Sequence, residues 1–88
     1  MFDTDATQLQ QLLLSVVRSI VESPDDVWVQ LTSKDHGPVF HIAAGPSDLG
    51  RLIGNGGQTA RALEVMVNAG HPRPGPRFHI EIAPTAHA

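Results

Sequence analysis

Residues 48–63 read DLGRLIGNGGQTARAL, with three glycines in the four positions from Gly54 to Gly57. Glycine adopts positive φ without a steric cost and lets another backbone approach closely, so this stretch predicts a sharp loop. Apolar residues at helical spacing flank the loop, which predicts a short helix before it and a longer helix after it. The unpaired N–H groups at the start of the second helix would point outward from the loop, and such groups favour a bound phosphate.

The glycines alone leave two interpretations open, a phosphate site or a plain corner between two helices that requires glycine. Two other phosphate-binding motifs do not fit the sequence. A Walker loop needs GxxxxGK followed by Ser or Thr, which is absent, and a dinucleotide fingerprint follows a strand, whereas a helix is predicted here.

A nucleic acid at this loop would find cations and an apolar surface nearby. Arg51 lies before the loop and Arg61 follows it by one helical turn, so both are candidates for contact with a phosphate backbone. Ile53 ends the short helix and Ile42 lies on the neighbouring strand, which predicts an apolar groove for bases. The candidate binding residues are Ile42, Arg51, Ile53, Gly54, Asn55, Gly56, Gly57, Gln58 and Arg61.

The N-terminal part carries the most regular helical pattern, and we expect a helix over about residues 5–22. Asp5 suits the N-cap, and Gln8 three residues later completes a start like a capping box. Pro24 ends the helix, because the residue before a proline is pushed out of the α region. The apolar stripe of this helix consists of Leu9, Leu12, Leu13, Val16, Val17, Ile20 and Val21.

Alternating apolar residues predict three strands, over residues 27–32, 39–44 and 77–82. A short turn-rich connection favours an antiparallel hairpin for the first two. Trp28 falls on the outer side of the first strand, where it either anchors an interface or packs under a neighbouring helix.

The element order is therefore α-β-β-α-α-β, an α+β fold with a three-stranded sheet and helices packed on one face. A chain of 88 residues is expected to form one domain over 1–88, with the glycine-rich core at about 45–69. Gly70 and Pro72 are placed to end the last helix, a proline-rich loop follows, and about residues 83–88 read as a frayed tail.

Composition argues against several classes of protein. There is no Cys, and the five His have no metal-ligand spacing, so we expect neither a metal site nor a cofactor. No serine elbow or spaced carboxylate pair appears, so we do not expect an enzyme. No segment approaches the roughly 20 apolar residues that span a bilayer, and acids stand where a signal peptide carries basic residues. We therefore expect a cytoplasmic protein without membrane contact.

The net charge of −3 is unfavourable for simple electrostatic binding of nucleic acid. The acidic excess lies in residues 1–35, where six acidic residues face two basic ones. Residues 36–88 carry four basic residues against three acidic ones, so the region of the loop has a small positive balance.

Residues 48–63 resemble the KH signature with its (V/I)IGxxG core, and the chain is similar nearly throughout to small bacterial KH proteins of the KhpA type. The resemblance implies the type II KH topology and a GxxG loop that clamps the backbone of about four single-stranded RNA nucleotides. It also implies an RNA chaperone or post-transcriptional regulator linked to cell shape. Its implied protein partner is a second copy, as a homodimer, or a larger KH-containing protein, as a heterodimer.

The sequence departs from this family at the loop, where relatives often carry basic residues. Asn55 and Gly56 occupy the two variable positions, and Gln58 stands where Arg is frequent. A clamp made of backbone N–H groups survives these changes, but only Arg51 and Arg61 remain to add charge. Two hypotheses therefore stay open: an RNA-binding module, or a protein-interaction module that uses a KH scaffold for dimerisation or partner docking with little RNA binding.

Overall fold

A computed structural model describes residues 2–34, 37–69 and 77–85. Within these residues the elements follow the predicted order, which confirms the α+β fold class. Their bounds are α1 Phe2–Ile20, β1 Trp28–Lys34, β2 Gly37–Ala44, α2 Leu49–Ile53, α3 Gln58–Ala69 and β3 His79–Pro84. Single 3₁₀ turns connect some of these elements, at Pro24–Asp26, Pro46–Asp48 and Asn55–Gly57. None of the described helices is long and apolar enough to cross a membrane.

The three strands form one mixed sheet in the order β1-β2-β3. β1 and β2 are antiparallel, with Trp28 opposite Ala43, so the predicted hairpin is confirmed. β2 and β3 are parallel, with Ala43 opposite Ala83. A parallel pair needs a long crossover connection, and α2 and α3 provide it.

The core lies between one face of the sheet and the helices. Side chains from every helix and from β1 and β2 form one buried cluster, against which Ile80 and Ile82 of β3 pack partly buried. The cluster members at most 1% exposed are Leu13, Val17, Phe40, Ile42, Ala44, Leu52 and Val67. The rings of Phe40 and Phe78 stack with their centroids 5.0 Å apart. In β2 the even-numbered residues face this core, so His41 and Ala43 lie on the other face of the sheet.

The bounds of α1 differ from the prediction at both ends. The helix begins at Phe2, so Asp5 lies inside it and is not its N-cap. The helix ends at Ile20. The Val21 N–H still donates to the Val17 carbonyl at 3.2 Å, and the N–H groups after it turn to another partner. The carboxylate of Asp48 accepts hydrogen bonds from the backbone N–H groups of Glu22 and Ser23, each at 3.0 Å.

The C-terminal strand also differs from the prediction. It begins at His79, because the backbone N–H and C=O of Phe78 bond to the side-chain amide of Asn68, at 2.9 and 3.0 Å. It continues to Pro84, and the Thr85 N–H donates to the Ala44 carbonyl at 2.7 Å. The expectation of a frayed tail is therefore wrong for residues 83–85. Residues 86–88, the turn at 35–36, and the predicted helix stop and proline-rich loop at 70–76 lie outside the described residues.

Candidate nucleic-acid interface

The glycine-rich loop joins α2 to α3 through a backbone path that needs glycine. Gly54 has φ 74° and ψ 179°, a region that essentially only glycine occupies, and Gly56 and Gly57 also have positive φ. A Cβ at Gly54 would clash with the Thr59 hydroxyl and lie 2.8 Å from the Thr59 backbone nitrogen. At Gly56 a Cβ would meet nothing within 4 Å. The loop is therefore tight at its base and open at its tip, where Asn55 and Gly56 are exposed.

Arg61 is the cation that lies against the loop. Its Nη2 donates to the Gly56 carbonyl at 2.6 Å, and the side chain is exposed. A guanidinium has five N–H donors, so this bond leaves others for a phosphate at the same place. Arg61 therefore lies at the loop, and its contact with a phosphate stays a prediction.

Arg51 points away from the loop, toward the start of α2 and the end of α1. Its Nη2 lies 3.2 Å from Glu22 Oε2, and its Nε lies 3.5 Å from Asp48 Oδ1. The structure therefore does not place the Arg51 guanidinium at the loop, because two carboxylates hold it.

The predicted apolar groove of Ile53 and Ile42 is not formed. Ile53 is 45% exposed at the end of α2 and is available beside the loop. Ile42 is 1% exposed, because it lies on the core face of the central strand, where no base can reach it. Gln58 is exposed on the first turn of α3, after the loop.

Two polar groups that organise this region were not predicted. Asp48 is 0% exposed and joins α1 to α2, and Asn68 joins α3 to the start of β3. Asp48 directly precedes α2, and from its sequence position an acid there is only a favourable charge at a helix start. Among the described residues, no group of three or more His, Asp or Glu side chains is arranged to hold a metal ion.

Comparisons with a family model and with individual proteins point to the same family. A family model described as KhpA/KhpB, KH domain, matches residues 10–82. The RNA-binding protein KhpA of Leifsonia xyli is 46% identical over 61 residues, which cover 69% of this chain and 80% of that protein. The RNA-binding protein KhpA of Streptomyces coelicolor is 43% identical over 61 residues, which cover 69% of this chain and 77% of that protein. The RNA-binding protein KhpA of Oceanobacillus iheyensis is 28% identical over 74 residues, which cover 84% of this chain and 99% of that protein. No solved structure matches the chain.

Proposed function

The chain belongs to the KhpA/KhpB family of KH domains, and on that premise we propose that it binds single-stranded RNA at the loop between α2 and α3. One observation carries the proposal: three positive-φ glycines form a loop with an open tip, and the Arg61 guanidinium lies on it. A loop without side-chain bulk lets a phosphate backbone approach closely. The names of the relatives above support RNA as the ligand.

In this proposal the loop holds the backbone of about four nucleotides and the neighbouring residues add to the contact. Gly54, Gly56 and Gly57 give the loop its path, and Asn55 offers an amide at the tip. Arg61 supplies the positive charge. Ile53 and Gln58, both exposed beside the loop, provide apolar and polar contacts for the bases.

The expected affinity is modest. Each phosphate that a cation neutralises adds about 0.7 to the slope of log K against log salt for single strands. Arg61 is the cation held at the loop, whereas Arg51 is paired with Glu22 and Asp48. We therefore expect weak binding with a shallow salt dependence and little preference for sequence.

The experiment compares two variants of nearly equal shape that differ in charge. Asn55→Asp with Gly56→Asp places two carboxylates at the tip, and Gly56→Asn with Asn55 retained is its uncharged match. Both keep the fold, because the Gly56 backbone, at φ 64° and ψ 22°, lies in the left-handed region that Asn and Asp tolerate.

Both variants are titrated with a labelled single-stranded RNA at low and at moderate salt. We expect the charged variant to bind about tenfold more weakly than its uncharged match at low salt, because its carboxylates repel phosphate. Equal affinities of the two variants would contradict binding at the loop. Absence of binding by the unmodified protein at low salt would favour the protein-interaction hypothesis.

Finer parts of the function stay predictions that rest on the family. These are the pairing with a second copy or with a larger KH-containing protein, the role as RNA chaperone or post-transcriptional regulator, and a place in the cytoplasm. Light scattering on the chromatographed protein tests the first, since a homodimer doubles the mass of 9.4 kDa. An RNA strand-annealing assay tests the second.

A further inference from the structure

The sheet has a second face that no described residue covers, on the side opposite the helices. A concavity of about 490 Å³ lies on it. Its lining comes from all three strands, with Trp28, Gln30 and Thr32 of β1, His41 and Ala43 of β2, and Glu81, Ala83 and Pro84 of β3 prominent. We call this surface the Trp28 face.

One row of the Trp28 face places a large ring beside two small side chains. Trp28 pairs with Ala43, and Ala43 pairs with Ala83, so the three residues lie side by side across the sheet. Trp28 is 51% exposed, which is unusual for so large an apolar ring. The short methyl groups of the two alanines leave an open slot beside the indole, within the concavity.

The next row places a carboxylate close to that slot. Gln30 pairs with His41, and His41 pairs with Glu81. The His41 ring is held from both sides, with Nε2 2.7 Å from Thr32 Oγ1 and Nδ1 3.2 Å from Glu81 Oε1. These contacts hold the Glu81 side chain, which is still 60% exposed. Glu81 lies two residues before Ala83 on β3.

The carboxylate that lines the slot makes its charge negative. Glu81 supplies this carboxylate, and Asp25 and Asp26 lie in the turn that precedes Trp28 in the sequence. No Lys or Arg among the described side chains lines the concavity, and Arg77 precedes β3, six residues from Ala83, which is about 20 Å of extended chain. A phosphate would meet repulsion here, and a cation would meet attraction.

We propose that the Trp28 face docks a cationic polypeptide segment that lays an arginine side chain over Trp28 and against Glu81. A guanidinium is flat, stacks on an indole through cation–π attraction, and makes paired hydrogen bonds to a carboxylate. The Trp28 face offers both partners in neighbouring rows of the sheet, with Trp28 on β1 and Glu81 on β3. Protein and RNA then bind on opposite sides of the molecule, and neither site depends on the other.

Trp28 itself is the probe for this site. The chain has one Trp and no Tyr, so its intrinsic fluorescence reports on this face alone. The ligand is a short capped peptide with two arginines, and its control is the same peptide with citrulline, a neutral side chain of the same shape. We expect a saturable change in Trp28 emission with the arginine peptide and none with the citrulline peptide.

Variants then identify the contacts, with binding measured by amide chemical shifts. We expect Glu81→Gln to weaken binding of the arginine peptide about threefold to fivefold, in keeping with a partly exposed ion pair. Trp28→Ala should weaken it similarly, and Trp28→Phe should restore part of the loss. Glu64→Gln, which makes the same change of charge on α3, should leave it unchanged.

Three results would overturn the proposal. Equal binding of the citrulline peptide would mean that charge does not select the ligand. A change of Trp28 emission on adding RNA, with none on adding the arginine peptide, would assign the face to nucleic acid. A change of Trp28 emission with protein concentration alone would mean that a second copy covers the face.

Discussion

At the scale of single residues, the glycines of the loop have unequal roles that their spacing alone does not reveal. Gly56 lies at the open tip, whereas Gly54 lies in a glycine-only region and against Thr59. The sequence predicted that the loop needs glycine, because three of four positions carry it. It could not predict which position is sterically closed, since that depends on how α3 begins.

Gly54→Ala should therefore destabilise the domain far more than Gly56→Ala. We expect a loss of about 3 kcal/mol in the free energy of unfolding for Gly54→Ala, because backbone strain and the clash with Thr59 act together. Gly56→Ala adds backbone strain without a clash, so we expect a loss of about 1 kcal/mol in the free energy of unfolding. Urea unfolding measures both, and equal losses would mean that the contact with Thr59 is unimportant.

At the scale of elements, periodicity predicted the helices and strands well but not the polar contacts that join them. Leu9, Leu13 and Val17 face the core as their spacing requires. Asp48 has the sequence position of an ordinary acid at a helix start, yet it is buried and accepts hydrogen bonds from Glu22 and Ser23, just after α1. Contacts between residues so far apart in sequence leave no periodic signal, so the role of Asp48 in joining these segments cannot be predicted from the sequence.

Asp48→Asn tests this connection between α1 and α2. Asn retains one acceptor and replaces the other with an NH₂ group, which leaves a backbone N–H without its partner in a buried place. We expect a loss of about 2 kcal/mol in the free energy of unfolding, as for other unsatisfied buried groups. Asp25→Asn, the same change at an exposed acid, should stay within about 0.5 kcal/mol. Thermal or urea unfolding compares them, and similar losses would contradict a specific role for Asp48.

At the scale of the whole molecule, the sheet separates two surfaces of different charge. The glycine-rich loop and Arg61 belong to the helical layer, and the Trp28 face is on the other side. The sequence predicted the acidic excess of residues 1–35 but not its geometry. Ile42 shows why the site was only partly predicted. The sequence predicted that Ile42 lies on a strand but not that its side chain is buried on the core face, where a base cannot contact it.

This separation predicts that equal changes of charge on the two sides affect RNA differently. Glu22→Gln removes a carboxylate that holds Arg51, so the guanidinium gains freedom to meet a phosphate. We expect RNA affinity to rise about twofold at about 0.1 M salt, which matches the small energy of an exposed ion pair. Glu81→Gln changes the net charge equally on the Trp28 face and should leave RNA affinity unchanged at that salt, where ions screen charges beyond about 10 Å. Fluorescence anisotropy with labelled RNA measures both variants. If the two raised the affinity equally, net charge rather than its placement would govern RNA binding.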